Sequence, residues 1–273
     1  MYSIIISVIT GSCFGTALWY FNASSWPWAT AFGFLLVIVG AVVSVLIVQK
    51  LVVRRMAEMQ TFMAEGQKKI QMRAEASQKR PTGDLKKMMA EFDKMQKSIL
   101  TEALEHTKRL EPYKKWVPLF AKQITTMRMQ LYYQMQNFKK VDELMPKTIM
   151  LDQMTASMRI SRMYTHNADV AEMAKVFEKA MTRLKYNQSV LLHALMAWIY
   201  VQKNMFVEAH AILVKACARN ENQVLKKNLD LLANKQTGKF SNSGLGDEWF
   251  SLFLEQPKMY IRRQPTRMDG RPF

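Results

Sequence analysis

The chain has 273 residues with 22 methionines, 10 glycines and 8 prolines, a composition poor in breakers that favours helix over sheet. Its formal charge of +17, from 39 lysines and arginines against 22 aspartates and glutamates, implies acidic partners such as anionic headgroups, nucleic acid or an acidic protein. With two cysteines, Cys13 and Cys217, no disulfide framework can be read, which points to a reducing compartment for the body.

Residues 1–21 carry no charge and owe their apolarity to Ile4, Ile5, Ile6, Val8, Ile9, Phe14, Leu18 and Trp19. A crossing of the hydrocarbon core takes about 20 apolar residues, so the segment is long enough. A short break at residues 22–28 precedes a second uncharged run, residues 29–48. The break is too short to recross a bilayer, so the two runs form a transmembrane helical hairpin over residues 1–53. Trp19, Tyr20, Trp26 and Trp28 gather at the turn, where interfacial aromatics belong. A cleaved signal peptide over the first run, or a buried hairpin of a soluble protein, are the alternatives. Gly11 and Gly15 have the spacing of a close-packing face between the two spans or between two copies.

Lys50, Arg54 and Arg55 follow the second run directly, and neither the N-terminus nor the turn carries a basic residue. The positive-inside bias therefore places both termini and the main domain in the cytoplasm, as an integral membrane protein with two spans. The same cluster can touch anionic lipid.

From Lys50 the helix is expected to continue as a cytoplasmic stalk over residues 54–111. Met56, Met63 and Ile70 recur every seventh residue, with Met59 between them. Pro81, Thr82 and Gly83 break this helix, and Asp84 can cap the next. Leu85, Met88, Phe92, Met95 and Ile99 then alternate steps of three and four, a short coiled-coil-like seam. That seam either packs onto the chain's own helical body or pairs with a second copy.

Residues 112–257 contain an internal repeat. Tyr132, Tyr164 and Tyr200 stand 32 and 36 residues apart, and each precedes an apolar residue by six positions: Phe138, Val170 and Phe206. Val141, Met173 and Ala209 follow those, then Met145, Phe177 and Leu213, then Thr148, Ala180 and Ala216. A period near 34 residues marks paired helices that stack. The last unit, residues 191–220, resembles a tetratricopeptide repeat. Tyr200 takes the family's first-helix tyrosine and Ala197 the small position before it. Ala209, Leu213 and Ala216 take the second-helix pattern. The resemblance covers about 100 residues, with Met129, Val141 and Met173 departing from it. Taken together the expected fold is all-α: a two-helix transmembrane hairpin, a helical stalk and a tetratricopeptide-like α-solenoid of about three to four helix pairs.

The resemblance implies a concave groove lined by first-helix residues: Gln130, Tyr133, Met158, Arg162, Leu191, Ala194, Trp198 and Val201. Trp198 and Tyr133 either face that groove or pack between units. Residues 223–234 read as a further amphipathic helix. Residues 247–256, with Trp249, Phe250, Leu252, Phe253 and Leu254, read as a helix closing the open end of the stack. The tail 258–273 is basic and reads as disordered.

Nothing in the sequence has the pattern of a phosphate loop, dinucleotide fingerprint, zinc-ligand pair or nucleophile elbow. His106, His166, His193 and His210 share no ligand spacing, so no catalytic residue, metal or cofactor is expected. The expected function is a membrane-anchored scaffold or adaptor that binds a protein partner through the repeats. The alternative is a self-assembling, homo-oligomeric structural protein that organises or shapes a membrane. Nucleic acid is disfavoured as a partner, since no basic–aromatic interleaving or recognition module occurs.

Overall fold

The computed structural model describes residues 2–20, 26–79, 85–116 and 120–257. Residues 22–25 of the expected break, the break at 81–83 with its cap at Asp84, and the tail 258–273 lie outside the described residues, whereas residues 26–28, expected in the first break, are the opening of a helix. Among those described, every regular element is a helix. The chain divides into two compact units, Met1–Ile149 and Met150–Phe273.

In the first unit, helices α1 (Tyr2–Tyr20) and α2 (Trp26–Lys79) pack on each other. Gly11 sits where they meet. A Cβ there would lie 2.2 Å from Val37 Cγ2 and 2.7 Å from the Gly33 carbonyl oxygen, so only glycine permits the approach. The portion of α2 from Gly33 is long and apolar enough to cross a membrane. α2 does not stop at its first charges. Over its 54 residues no proline follows Pro27 and long, straight side chains predominate, so the apolar run and the charged stalk are one continuous rod.

Helix α3 (Leu85–Lys108) folds back antiparallel along α2. Arg73 pairs with Glu91 at 2.5 Å, a Cβ added to Gly66 would meet Ile99, and the Phe62 ring lies 5.3 Å from that of His106. The stripe Met88, Phe92, Met95 and Ile99 is half-buried, while Met89, Glu91, Asp93, Lys94 and Ser98 beside it are exposed. The stripe lies against α2 of the same chain and not against the helical body it was expected to meet.

The return of α3 carries the following residues to the height where the apolar run of α2 ends. A 3-10 turn, Glu111–Lys115, leads into α4 (Phe120–Gln134) and α5 (Phe138–Leu144). Leu110, Phe120 and Ile124 cover Val48 and Val52, with Met56, Tyr113, Trp116 and Met127 packed around them. A second cluster joins Leu100 and Ala103 of α3 to Leu131 of α4. The division between Ile149 and Met150 thus groups the α4–α5 pair, expected as the first repeat, with α1, α2 and α3.

The second unit holds the pairs α6 (Gln153–Thr165) with α7 (Val170–Met181) and α8 (Val190–Gln202) with α9 (Phe206–Arg219), then α10 (Gln223–Ala233) on α9. Phe138, Val170 and Phe206, matched to one another on the sequence, are each the first residue of a helix. One turn recurs before them. Gln136, Asn167 and Asn204 adopt φ of 57°, 55° and 59°, and Asn137, Ala168 and Met205 donate backbone N–H groups to Tyr132, Met163 and Tyr200 at 2.8–2.9 Å. A left-handed residue after the last helical turn satisfies two orphan carbonyls and reverses the chain. Asparagine tolerates that conformation better than other residues with a Cβ. α10 ends the same way at Lys235, φ 58°.

Within the α8–α9 pair, Ala197, Ala209, Leu213 and Ala216 are fully buried, the small side chains allowing the two helices to approach closely. The connection from α7 to α8 is tied to the end of α9. The Arg219 guanidinium donates to the Met181 and Leu184 carbonyls, and the Ser189 hydroxyl donates to Asn220 Oδ1 at 3.1 Å.

Candidate functional site

The inner face of α6 and α8 is where the sequence places the groove, and it is occupied by the chain's own C-terminal segment. The anchor begins in the loop after α10. Asn242, fully buried, donates its side-chain amide to the Ala194 carbonyl at 2.8 Å. Its own Oδ1 accepts from Asn228 of α10 at 2.8 Å, and the Asn228 amide also donates to the Ser241 carbonyl. A buried amide left without such partners would cost about 1–3 kcal/mol, so this relay fixes where the segment enters.

The segment then forms a short helix, α11 (Asp247–Phe250), in place of the longer closing helix expected over residues 247–256. After it the chain turns, with Phe253 at φ 55°. A bulky residue in that region breaks helical continuation. The fully buried Trp249 lies with its ring 5.7 Å from Trp198, and Tyr164 meets Trp198 edge-on from the other side at 5.2 Å. Glu255 closes the arrangement. Its Oε1 accepts from the Trp198 indole at 2.7 Å and its Oε2 from the Trp249 indole at 2.8 Å. Ser161 of α6 donates its hydroxyl to the Leu252 carbonyl at 3.1 Å. Lys203 lies 5.8 Å from the Tyr164 ring centre.

The expected groove residues are therefore placed as follows. Leu191 and Ala194 are fully buried, Trp198 is 7% exposed, and Met158 and Arg162 are buried on α6. Val201 is half-buried at the end of α8. Arg162 shares a hydrogen bond with His166 at 3.0 Å. Tyr133 belongs to the first unit, buried with its ring against Phe138, and Gln130 is half-buried there. At Ala194 and Trp198 the face expected to line the groove is thus met by an apolar segment of the same chain with its own polar hooks. Asn242, Ser161 and Glu255 do this work; Asn242 and Glu255 were not singled out by sequence, and Ser161 fits only as the small first-helix residue of the second repeat unit. The one signal was a single carboxylate following the Trp- and Phe-rich run at 249–254.

His193 of α8 is buried, 5.3 Å edge-on from Phe177, with Nδ1 2.8 Å from the Ser189 carbonyl. Burial lowers its pKa below the ordinary 6.5, and nearby Arg219 adds to this. The ring is therefore neutral, and with its Nδ1 hydrogen on Ser189 it is a core residue. Burial raises the Cys217 thiol pKa, which disfavours a reactive thiolate.

Lys50, Arg54 and Arg55 are exposed at the foot of the apolar run, the two arginines lying 3.6 and 2.9 Å from Glu58. Among the described residues no three His, Cys, Asp or Glu side chains gather into a metal-holding group. Comparison with protein families, curated proteins and solved structures finds no match for this chain.

Proposed function

We propose that the chain is a membrane-anchored scaffold whose second unit carries a protein partner on the cytoplasmic side. The observation that supports it best is the continuity of α2, in which an apolar run of membrane-crossing length passes without a break into a charged helix that runs to Lys79. In this reading α1 is the first of two spans, and the basic residues from Lys50 onward keep the body inside. The pairs α6–α7 and α8–α9 are read as tetratricopeptide-like units of a short solenoid. An experimental structure in which α8 does not lie beside α6 in the same sense would overturn that.

With the inner face filled, the partner surface moves to the outside of α9. Val207, Ala211, Val214 and Ala218 are all exposed there and fall on one helical stripe. Val207, 81% exposed, is the most exposed of the large apolar side chains described outside α1 and α2. Apolar side chains at that spacing suit a partner helix.

A photocrosslinking residue placed at Val207 or Val214 tests this in intact membranes. The scaffold reading expects an adduct with a second protein of defined mass, lost in a Val207→Glu/Val214→Glu variant that keeps its helical circular dichroism. Adducts made only of two copies of this chain would favour self-assembly instead. Topology is checked by a cysteine at Ser25, which should label from outside the cell, while one at Val207 should not. Labelling in the opposite sense would refute the cytoplasmic placement.

A further inference from the structure

The foot of the first unit carries an inference that rests on the membrane-anchored reading and goes beyond it. The apolar run of α2 ends at Val48, and Lys50 is its first charge. At this height the fold does two opposite things. Val48 and Val52, one turn apart, are covered by Leu110, Phe120 and Ile124. Leu46, Ile47, Leu51 and Val53, on the remaining faces, stay exposed at 57%, 57%, 44% and 63%. Large aliphatic side chains left exposed around a whole turn mark a surface that something apolar covers.

The residues that cover Val48 and Val52 come from about sixty positions further along the chain, and they bring their own charges. Tyr113 and Trp116, both half-buried, flank Lys114 and Lys115, and Lys122 follows on α4. Residues 48–58 and 110–124 together hold six cations, Lys50, Arg54, Arg55, Lys114, Lys115 and Lys122, against two carboxylates. Both carboxylates are already engaged. Glu58 lies beside Arg54 and Arg55, and Glu111 beside Arg128 at 2.7 Å and Lys114 at 3.3 Å. The pKa of Glu111 is lowered by those partners, Arg128 first, so it stays ionised and paired. The net field at the foot is positive.

One pair of aromatic rings bracketing two lysines, beside exposed aliphatics at the level where an apolar run stops, has the makings of an interfacial element. We propose that residues 110–116 form a second membrane-contacting element. In it Tyr113 and Trp116 sit at the headgroup level, and Lys114, Lys115 and Lys122 join Lys50, Arg54 and Arg55 around anionic phospholipid headgroups. The site is assembled by the α2–α3 hairpin, which returns the chain to the bilayer surface. An acidic protein would match the charge but leave the aliphatic collar of α2 in water. A bilayer surface covers both.

The test uses the full chain with Cys13→Ala and Cys217→Ala, reconstituted in phosphatidylcholine vesicles with about 30% phosphatidylglycerol. A single cysteine at Lys115, Leu46 or Val207 carries an environment-sensitive fluorophore, and quenching by spin-labelled lipids is measured. The Lys115→Cys label should be quenched by lipid labelled near the headgroup. Spin-labelled phosphatidylglycerol should quench it about twofold or more better than spin-labelled phosphatidylcholine at equal mole fraction. That preference should fall towards unity in about 0.5 M salt and in a Lys114→Gln/Lys122→Gln variant. The Leu46→Cys label should be quenched by deeply labelled lipid of either headgroup, and the Val207→Cys label by none. Quenching at Leu46 without quenching at Lys115 overturns the inference and leaves the anchor standing. Absence of quenching at Leu46 overturns the anchor and the inference with it. Equal quenching at Lys115 by both lipids overturns the assignment of anionic headgroups.

Discussion

Trp198→Ala is the substitution that tests the self-filled groove most directly. The indole is 7% exposed, wedged between Tyr164 and Trp249, with its N–H on Glu255 at 2.7 Å. Truncating a buried aromatic to alanine costs about 3–5 kcal/mol through lost burial and the cavity left behind. The hydrogen bond to a charged acceptor is worth about 1.5–3 kcal/mol on its own, but it overlaps the first figure, because Glu255 keeps its second donor from Trp249 at 2.8 Å. Trp198→Phe separates the two. It retains most of the ring and forfeits the hydrogen bond, so about 1.5–3 kcal/mol is expected. Ala209→Leu serves as a comparator. Ala209 is fully buried, away from the Glu255 hydrogen bonds, and overpacking there costs about 1–3 kcal/mol. Thermal unfolding of the full chain in mild detergent, followed by circular dichroism, should show the Trp198→Ala transition about 10 °C or more below the native one. Limited proteolysis should also cut Trp198→Ala, and not Ala209→Leu, within residues 243–257, since only the former releases the segment. A Trp198→Ala protein that melts within about 1 kcal/mol of the native chain and resists the protease would refute the reasoning, and would mean the inner face is open.

Acid should weaken the second unit through His193. Its folded pKa lies below the ordinary 6.5 because it is buried, so the unfolded chain binds the extra proton first as pH falls. The stability it contributes is complete above 6.5 and declines as pH drops from there, by at most about 1.4 kcal/mol per pH unit. Urea unfolding at pH 7.5 and at pH 5 should show this decline, and His193→Leu should flatten it; an unchanged slope would remove His193 as the cause. Gln136→Gly and Lys235→Gly should each stabilise by about 0.5–1 kcal/mol, since both exposed residues hold a left-handed φ that glycine adopts without strain. A loss of stability in either denaturation curve would count against the turn geometry.

What the sequence determined by itself is local. Two uncharged runs, a lack of breakers and apolar residues at helical spacing made the chain helical. The alignment of Tyr132, Tyr164 and Tyr200 located the residues at which three helices start, because a stripe that must be buried is written in consecutive turns. The turns before those helices were legible in principle from Asn167 and Asn204, less so from Gln136, whose side chain gives no hint of a left-handed φ. The tertiary structure decided which faces meet. The stripe Met88, Phe92, Met95 and Ile99 suits the chain's own helical body or a second copy equally on sequence, and the return of the chain along α2 lays it against that helix. The inner face of α6 and α8 was assigned to a partner because its pattern does not name its occupant. The contacts that fill it join residues 48, 57 and 91 positions apart, Asn242 to Ala194, Glu255 to Trp198 and Leu252 to Ser161. Such pairings leave no periodic trace, since each depends on one polar atom reaching one partner after the chain has closed a long loop. The same holds at the foot of α2, where Leu110, Phe120 and Ile124 reach Val48 and Val52 only because a hairpin of two helices brings them back.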